Sequence, residues 1–237
     1  MGAPTPGLLI LVPARAGSKG LPGKNLKSLG GLPLLAWTAR TIAASGVGAR
    51  AVLTTEDSEI AAAGRAHGLE TPFLRPADLA SDTASMVDVV EHAVGWMERE
   101  GGFAPSAIML LQPTCPFRKP DRIQQALDLL VLPGTEGVIG VKGIDRSLSV
   151  MYQEGPDGAL APLAPWDERT RRQDVRPLLT PNGTLYLTTR ESLVRHRRLF
   201  PPRLRGLVTD HIESIDIDTP EDWTLAEAVV AAGLATP

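Results

Sequence analysis

Residues 8–26 read LLILVPARAGSKGLPGKNL. The apolar run at 8–12 has the composition of a buried strand. It empties into a loop in which Pro13, Gly17, Gly20, Pro22 and Gly23 are interleaved with Arg15, Ser18, Lys19, Lys24 and Asn25. Glycines let a backbone approach a ligand closely and turn several N–H groups toward one anion. The cations on the same loop put charge where a polyphosphate would lie. An ordinary strand-to-helix loop with basic decoration needs no such density of cations among glycines. This one also follows the first strand directly, at an edge where open α/β sheets bind ligands. The stretch therefore predicts a nucleoside-triphosphate loop on an α/β sheet.

Two familiar phosphate motifs fail here. A Walker A loop needs glycine five positions before its Gly-Lys pair and Ser or Thr after it. Around Gly23 and Lys24 those places hold Ser18 and Asn25. The dinucleotide pattern G-x-G-x-x-G fails as well, because Gly17, Gly20 and Gly23 are evenly spaced.

Beyond the loop, strand-like and helix-like segments alternate. Helices are expected at 33–44, 58–67, 83–100 and 120–130, and strands at 51–55, 107–111 and 138–141. Such alternation predicts βαβ units and a mostly parallel sheet covered by helices. From 147 to 176 the chain turns rich in Gly, Pro and charge and reads as an insertion, with short strands at 148–153. Strands are expected again at 184–188 and 212–217. A last helix to about residue 232 opens with Thr219 as its cap, Pro220 at the first position and acids in the first turn. The basic run RHRRLFPPRLR at 195–205 fits a solvated surface or a ligand role equally well.

SIDID at 214–218 is the second strong signal. On a strand, residues two apart share a face, so Asp216 and Asp218 would point together while Ile215 and Ile217 enter the core. Two neighbouring carboxylates repel unless a cation bridges them, and Mg²⁺ prefers oxygen ligands completed by phosphate oxygens. Metal binding by the pair is favoured over a single acid beside a helix cap. Other polar clusters are less specific. In LLQPTCPFR, Pro113 and Pro116 fix a turn that presents Gln112, Thr114 and Arg118, although these groups could equally satisfy one another. Arg75 is held by Pro76, and Asp82, Thr83 and Ser85 mark a capped helix start. Arg172-Gln173 and Asn182-Gly183 are weaker still. The histidines have no metal spacing, and Cys115 reads as a small packing residue.

The chain of 237 residues carries a formal net charge of −3, against general nucleic-acid binding. No window approaches the roughly 20 apolar residues of a membrane span. The opening MGAPTPG lacks the basic region of a secretory signal. A single cysteine allows no internal disulfide, so a reducing cytoplasm is the expected compartment.

Together the motifs resemble the acylneuraminate cytidylyltransferase family, the CMP-sialic acid synthetases and their relatives for other nonulosonic acids. PARAGSKGLPGKNL, FLRPADLASDTAS, LLQPTCPFR, RRQDVRPLLTPNGTLYL and SIDIDTPED occur in the family's order across 8–223. The resemblance implies one domain over 1–237, an α/β fold with a three-layer, mostly parallel, Rossmann-like nucleotidyltransferase sheet, and a small protruding dimerisation element near 148–176. It implies that CTP and a nonulosonic acid (sialic, legionaminic or pseudaminic) give the CMP-sugar and pyrophosphate with Mg²⁺, in a homodimer. Arg15, Gly17, Ser18, Lys19 and Lys24 match positions near the triphosphate. Asn25 and Arg75 match positions near the cytidine, with Asp82 and Thr83 also on the nucleotide side. Asp216 and Asp218 match the metal acids, and Arg15, Lys24 and Asp216 are the expected catalytic residues. Gln112, Lys142, Arg169, Arg171, Arg172, Gln173 and Asn182 are candidates for the sugar acid, whose carboxylate suits a bidentate guanidinium. The departures also fall on the sugar side: Leu178 and Leu179 stand where the family often has tyrosine, and Leu199-Phe200 where it often has two aromatics. Remaining alternatives are a cytidylyltransferase for 3-deoxy-manno-octulosonate or a phosphonate, and a non-catalytic nucleotide-binding subunit of the same fold.

Overall fold

Five of the six residues of strand β1 (Leu8–Pro13) are buried, as its unbroken apolar sequence demands. A strand apolar on both faces needs a partner on each edge and a helix layer on each side. The computed structural model, which describes residues 7–17, 20–144, 148, 151–165 and 178–236, supplies both. A small hairpin, β2 (Ser28–Leu29) and β3 (Leu32–Pro33), leads into α1 (Leu34–Ser45), β4 (Arg50–Thr54) and α2 (Ser58–Ala66). After a 3₁₀ turn at Ala77–Ala80 come α3 (Met86–Arg99), β5 (Ala107–Leu110), α4 (Asp121–Leu130) and β6 (Gly137–Ile144). The second half holds β7 (Tyr152–Glu154), β8 (Leu160–Pro162), β9 (Leu178–Thr189), α5 (Arg190–His196), β10 (Leu204–Val208) and α6 (Pro220–Ala231).

The main sheet has the order β10-β6-β9-β5-β1-β4. β1 runs parallel to β4 and β5, and β10 parallel to β6, whereas β9 is antiparallel to both its neighbours. Alternate side chains of β1 enter opposite layers. Leu8, Ile10 and Val12 pack with Leu35 and Ile42 of α1 and with Ile123 and Leu127 of α4. Leu9 and Leu11 pack with Val90, Val94 and Met97 of α3 and with Leu193 of α5. This is the expected three-layer, mostly parallel α/β sheet. Its β1, β4 and β5 strands release their C-terminal loops on one edge, where open sheets gather ligands.

Four expectations need correction. The TLYLT strand is the second half of a twelve-residue β9. Helix α5 ends and strand β10 begins within the stretch at 195–205 that was read only as a basic run. β10 is an edge strand in which Leu207 alone is buried, so it carries no apolar pattern to read. The third is the acid segment. Residues 211–214 form a turn and 215–218 have no regular structure and no ladder, so no strand exists at 212–217. Only part of its alternation survives: Ile217 is buried against Leu29, Trp223 and Ala226 and Asp218 is exposed, but Ile215 and Asp216 are alike half-buried. Alternation reports which side faces the core and says nothing about a neighbouring strand. In the insertion, of the short strands expected at 148–153 the described residues hold only the start of β7, which pairs with β8 in a separate two-stranded hairpin.

Candidate active site

A cleft of about 500 Å³ opens at the C-terminal ends of β1 and β5. Its walls include Arg15, Gly20, Lys24 and Asn25 from the opening loop, Arg75, Gln112 and Thr114, and Asp216 and Asp218 from the acid segment. The two strongest sequence signals, some 190 residues apart, thus meet. Lys24 Nζ donates to Asp218 Oδ1 at 2.7 Å and to the Ile217 carbonyl at 3.0 Å. The loop is built for that approach. A Cβ at Gly20 would overlap the Asp218 carbonyl oxygen, and Gly23 takes φ +68°, a left-handed conformation that favours glycine. Gly17, by contrast, is exposed, has open space around it and does not line the cleft.

The remaining nucleotide-side residues are held by one another. Asn25 is buried and its Nδ2 donates to the Arg15 carbonyl at 2.9 Å. Arg15 pairs with Asp82 at 2.9 Å, so Asp82 reaches the cleft through Arg15, while exposed Thr83 lies beside Ser81 and off the wall. Arg75 is almost fully buried. Its Nη2 donates to Glu56 Oε2 at 2.8 Å, and its buried Nε has no hydrogen-bond partner among the described residues. The second oxygen of Glu56 accepts from the Ala16 N–H at 2.8 Å, so one carboxylate at the end of β4 fixes both a cleft arginine and the phosphate loop. No motif marks Glu56 in the sequence.

Asp216 is half-buried, and its Oδ1 is a buried atom with no hydrogen-bond partner among the described residues. Burial, and then the negative charge of Asp218, push its pKa up against hydrogen bonding from Thr114 and the charge of Lys24. An orphaned carboxylate oxygen beside a second carboxylate is the hard-oxygen donor set that suits Mg²⁺ when phosphate oxygens and water complete the shell. The residues fit such an ion. Among the described residues no group of three or more His, Cys, Asp or Glu side chains could hold a metal unaided.

On the sugar side Gln112 lines the cleft. Gly183, at φ +78°, lets Gln112, Cys115 and Asp216 crowd together where a Cβ would intrude. Asn182 is not free to touch a ligand. Its Nδ2 donates to Thr209 Oγ1 at 2.6 Å and Ser214 Oγ at 2.8 Å, and its Oδ1 accepts from the Thr184 hydroxyl at 2.7 Å. It organises the floor beneath the acids instead. Lys142 stands on β6 opposite Thr180 and does not line the cleft. Arg118, expected at the sheet edge, turns inward to the carbonyls of Thr184 and Gln112, and burial lowers its pKa to about 10. Cys115 is buried, its thiol raised to about 12 by burial and then by Asp216, which makes it the packing residue expected. Ser18, Lys19, Arg169, Arg171, Arg172 and Gln173 lie outside the described residues.

The cytidylyltransferase family model matches residues 9–138, more than half of the chain. CMP-N,N'-diacetyllegionaminic acid synthase of Legionella pneumophila is 33% identical over 224 residues, covering 94% of this chain and 96% of that protein. N-acylneuraminate cytidylyltransferase of Streptococcus agalactiae serotype V is 28% identical, covering 91% of this chain and 51% of that longer protein. A solved CMP:2-keto-3-deoxy-manno-octonic acid synthetase complexed with CTP has the same fold, with a TM-score of 0.69 at 17% identity over 96% of this chain and 99% of that one. No described helix is long and apolar enough to cross a membrane. The chain belongs to the acylneuraminate cytidylyltransferases and related CMP-nonulosonic acid synthetases.

Proposed function

We propose that the protein transfers CMP from CTP to the anomeric hydroxyl of a nonulosonic acid and releases pyrophosphate. The observation that carries this reading is the convergence of Lys24, Asp216 and Asp218 on one cleft at the ligand-binding edge of the sheet. Phosphoryl-type transfer asks the protein for positioning and charge neutralisation rather than covalent chemistry. The anomeric oxygen attacks the α-phosphorus and pyrophosphate leaves. Lys24 and Arg15 supply positive charge along the triphosphate, and Asn25 and Arg75 hold the cytidine. Asp216 and Asp218 are the residues that would hold Mg²⁺, whose chemistry is neutralisation of charge on phosphate oxygens. Gln112 faces the sugar acid.

The coverage and identity of the legionaminic acid synthase support placing a legionaminic-type acid first among substrates, ahead of sialic, pseudaminic and 3-deoxy-manno-octulosonic acids. The test is pyrophosphate release from each nucleoside triphosphate against a panel of these acids. Release that requires CTP, Mg²⁺ and a nine-carbon acid is expected. Release with the eight-carbon acid alone would move the substrate to that class, and no release with any acid would favour a nucleotide-binding subunit. The β7–β8 hairpin leaves Tyr152, Leu160 and Leu163 more than half exposed, which supports a homodimer through this element. Sedimentation should then give twice the chain mass.

A further inference from the structure

The acid segment is a wall between two clefts. Asp216 and Asp218 line the one just described, whereas Asp210, Ile212 and Glu213 line a second, of about 710 Å³. The turn after β5 does the same, with Gln112 and Thr114 on the first cleft and Phe117 and Lys119 on the second. Neither stretch belongs to a strand, and one backbone bond, Ile217 N–H to the Thr114 carbonyl at 2.8 Å, joins them. Side chains must therefore set their spacing.

Glu213 is the side chain placed to do so. Its carboxylate is 1% exposed, and both oxygens are engaged by groups of the turn and of α4. Oε1 accepts from Arg122 Nε at 2.8 Å and from the Lys119 N–H at 3.3 Å. Oε2 accepts from Arg122 Nη2 at 2.8 Å and from the Asp210 N–H at 3.4 Å, with Lys119 Nζ at 3.7 Å. Lys119 also reaches Asp210 at 2.7 Å. A bidentate guanidinium–carboxylate pair fixes orientation as well as distance, and a buried one tolerates loss of a partner poorly.

We propose that Glu213 is a positioning residue: its pair with Arg122 pins the acid segment to the start of α4 and so sets where Asp216 and Asp218 meet the nucleotide. The catalytic half of this statement rests on the function proposed above; the structural half does not. The experiment compares wild type, Glu213→Gln, the milder surface variant Lys119→Met and a distant ion-pair control, Glu98→Gln, by hydrogen exchange and steady-state kinetics. In Glu213→Gln the amides at 214–218 should exchange about tenfold faster or more while those of β1 and β5 keep wild-type rates, the mark of local rather than global opening. Lys119→Met should move the same peptide about two- to threefold, a weaker and exposed restraint. The kcat of Glu213→Gln should fall about tenfold or more and the KM for CTP with Mg²⁺ should rise, whereas CTP affinity without Mg²⁺ should stay near wild type, because the loop cations stay in place. Glu98→Gln should match wild type throughout. Wild-type exchange at 214–218 in both variants, or acceleration spread evenly over the sheet, overturns the pin. A loosened segment with wild-type kcat overturns its catalytic consequence. If the wild-type chain shows no turnover, the function falls while exchange still decides the pin.

Discussion

The two walls of the cleft are built by opposite means. The loop wall grows out of β1, a strand paired along its length with β4 and β5 and covered on both faces. The acid wall has no ladder and hangs on side chains: Glu213 on Arg122, Ser214 and Thr209 on Asn182, and Lys24 on the Ile217 carbonyl. A ladder fixes a segment through its backbone whatever its side chains are. A pinned segment is only as well placed as its pins. Substitutions on the loop wall should therefore act mainly through charge, save where Gly20 meets the acid wall, whereas substitutions on the acid wall should alter charge and geometry alike.

The largest effect should come from Lys24→Ala. It removes a charge aimed at the triphosphate, and kcat/KM should fall about 100- to 1000-fold, the scale of losing one preorganised charge donor. Stability should drop by no more than about 2 kcal/mol, because the pair with mostly solvated Asp218 is worth little and the hydrogen bond to the Ile217 carbonyl is a single one. Thermal unfolding beside steady-state kinetics reads both, and a large loss of stability would break the contrast between the walls. Gly20→Ala comes next, at the point where the walls touch. The added methyl meets the Asp218 backbone, which cannot rotate away, and overpacking of this kind costs about 1–3 kcal/mol. Activity should fall with it.

The smallest effect sharpens the comparison by its sign. The folded-state pKa of Asp216 lies above the ordinary carboxylate value of 3.8, chiefly through burial. The folded chain therefore keeps this proton to higher pH than the unfolded chain, and stability declines as pH climbs from 3.8 through the raised value. The penalty persists at neutral pH. Without divalent cations, Asp216→Asn should then unfold at a higher temperature than wild type at neutral pH, and at the same temperature near about pH 3. A variant that is less stable at neutral pH would contradict the reading of Asp216 as a strained, functional acid.

The difference between the walls also explains what could be read from the residues. β1 and its loop were legible because an apolar run and cations among glycines are local patterns. The acids were legible as neighbours and do line one cleft, but their segment was misread as a strand: Ile217 in and Asp218 out is an order that an irregular wall shows as readily. Asn182 looked like a ligand residue and is a buried hub: besides nearby Thr184 it holds Thr209 and Ser214, partners 27 and 32 residues away that leave no local mark. Glu56 was invisible for the same reason. The basic run at 195–205 stood open between surface and ligand, and the structure places Arg195 against Glu191 and Glu136 and Arg197 against Glu91, an ion-paired surface.

Calorimetric titration of CTP, with and without Mg²⁺, into wild type, Lys24→Ala and Asp216→Asn tests most directly whether the walls share one magnesium-nucleotide. Mg²⁺ should tighten CTP binding to wild type, Asp216→Asn should lose that gain, and Lys24→Ala should bind CTP more weakly in either condition. An undiminished Mg²⁺ gain in Asp216→Asn would mean that the acid wall does not meet the nucleotide through a metal.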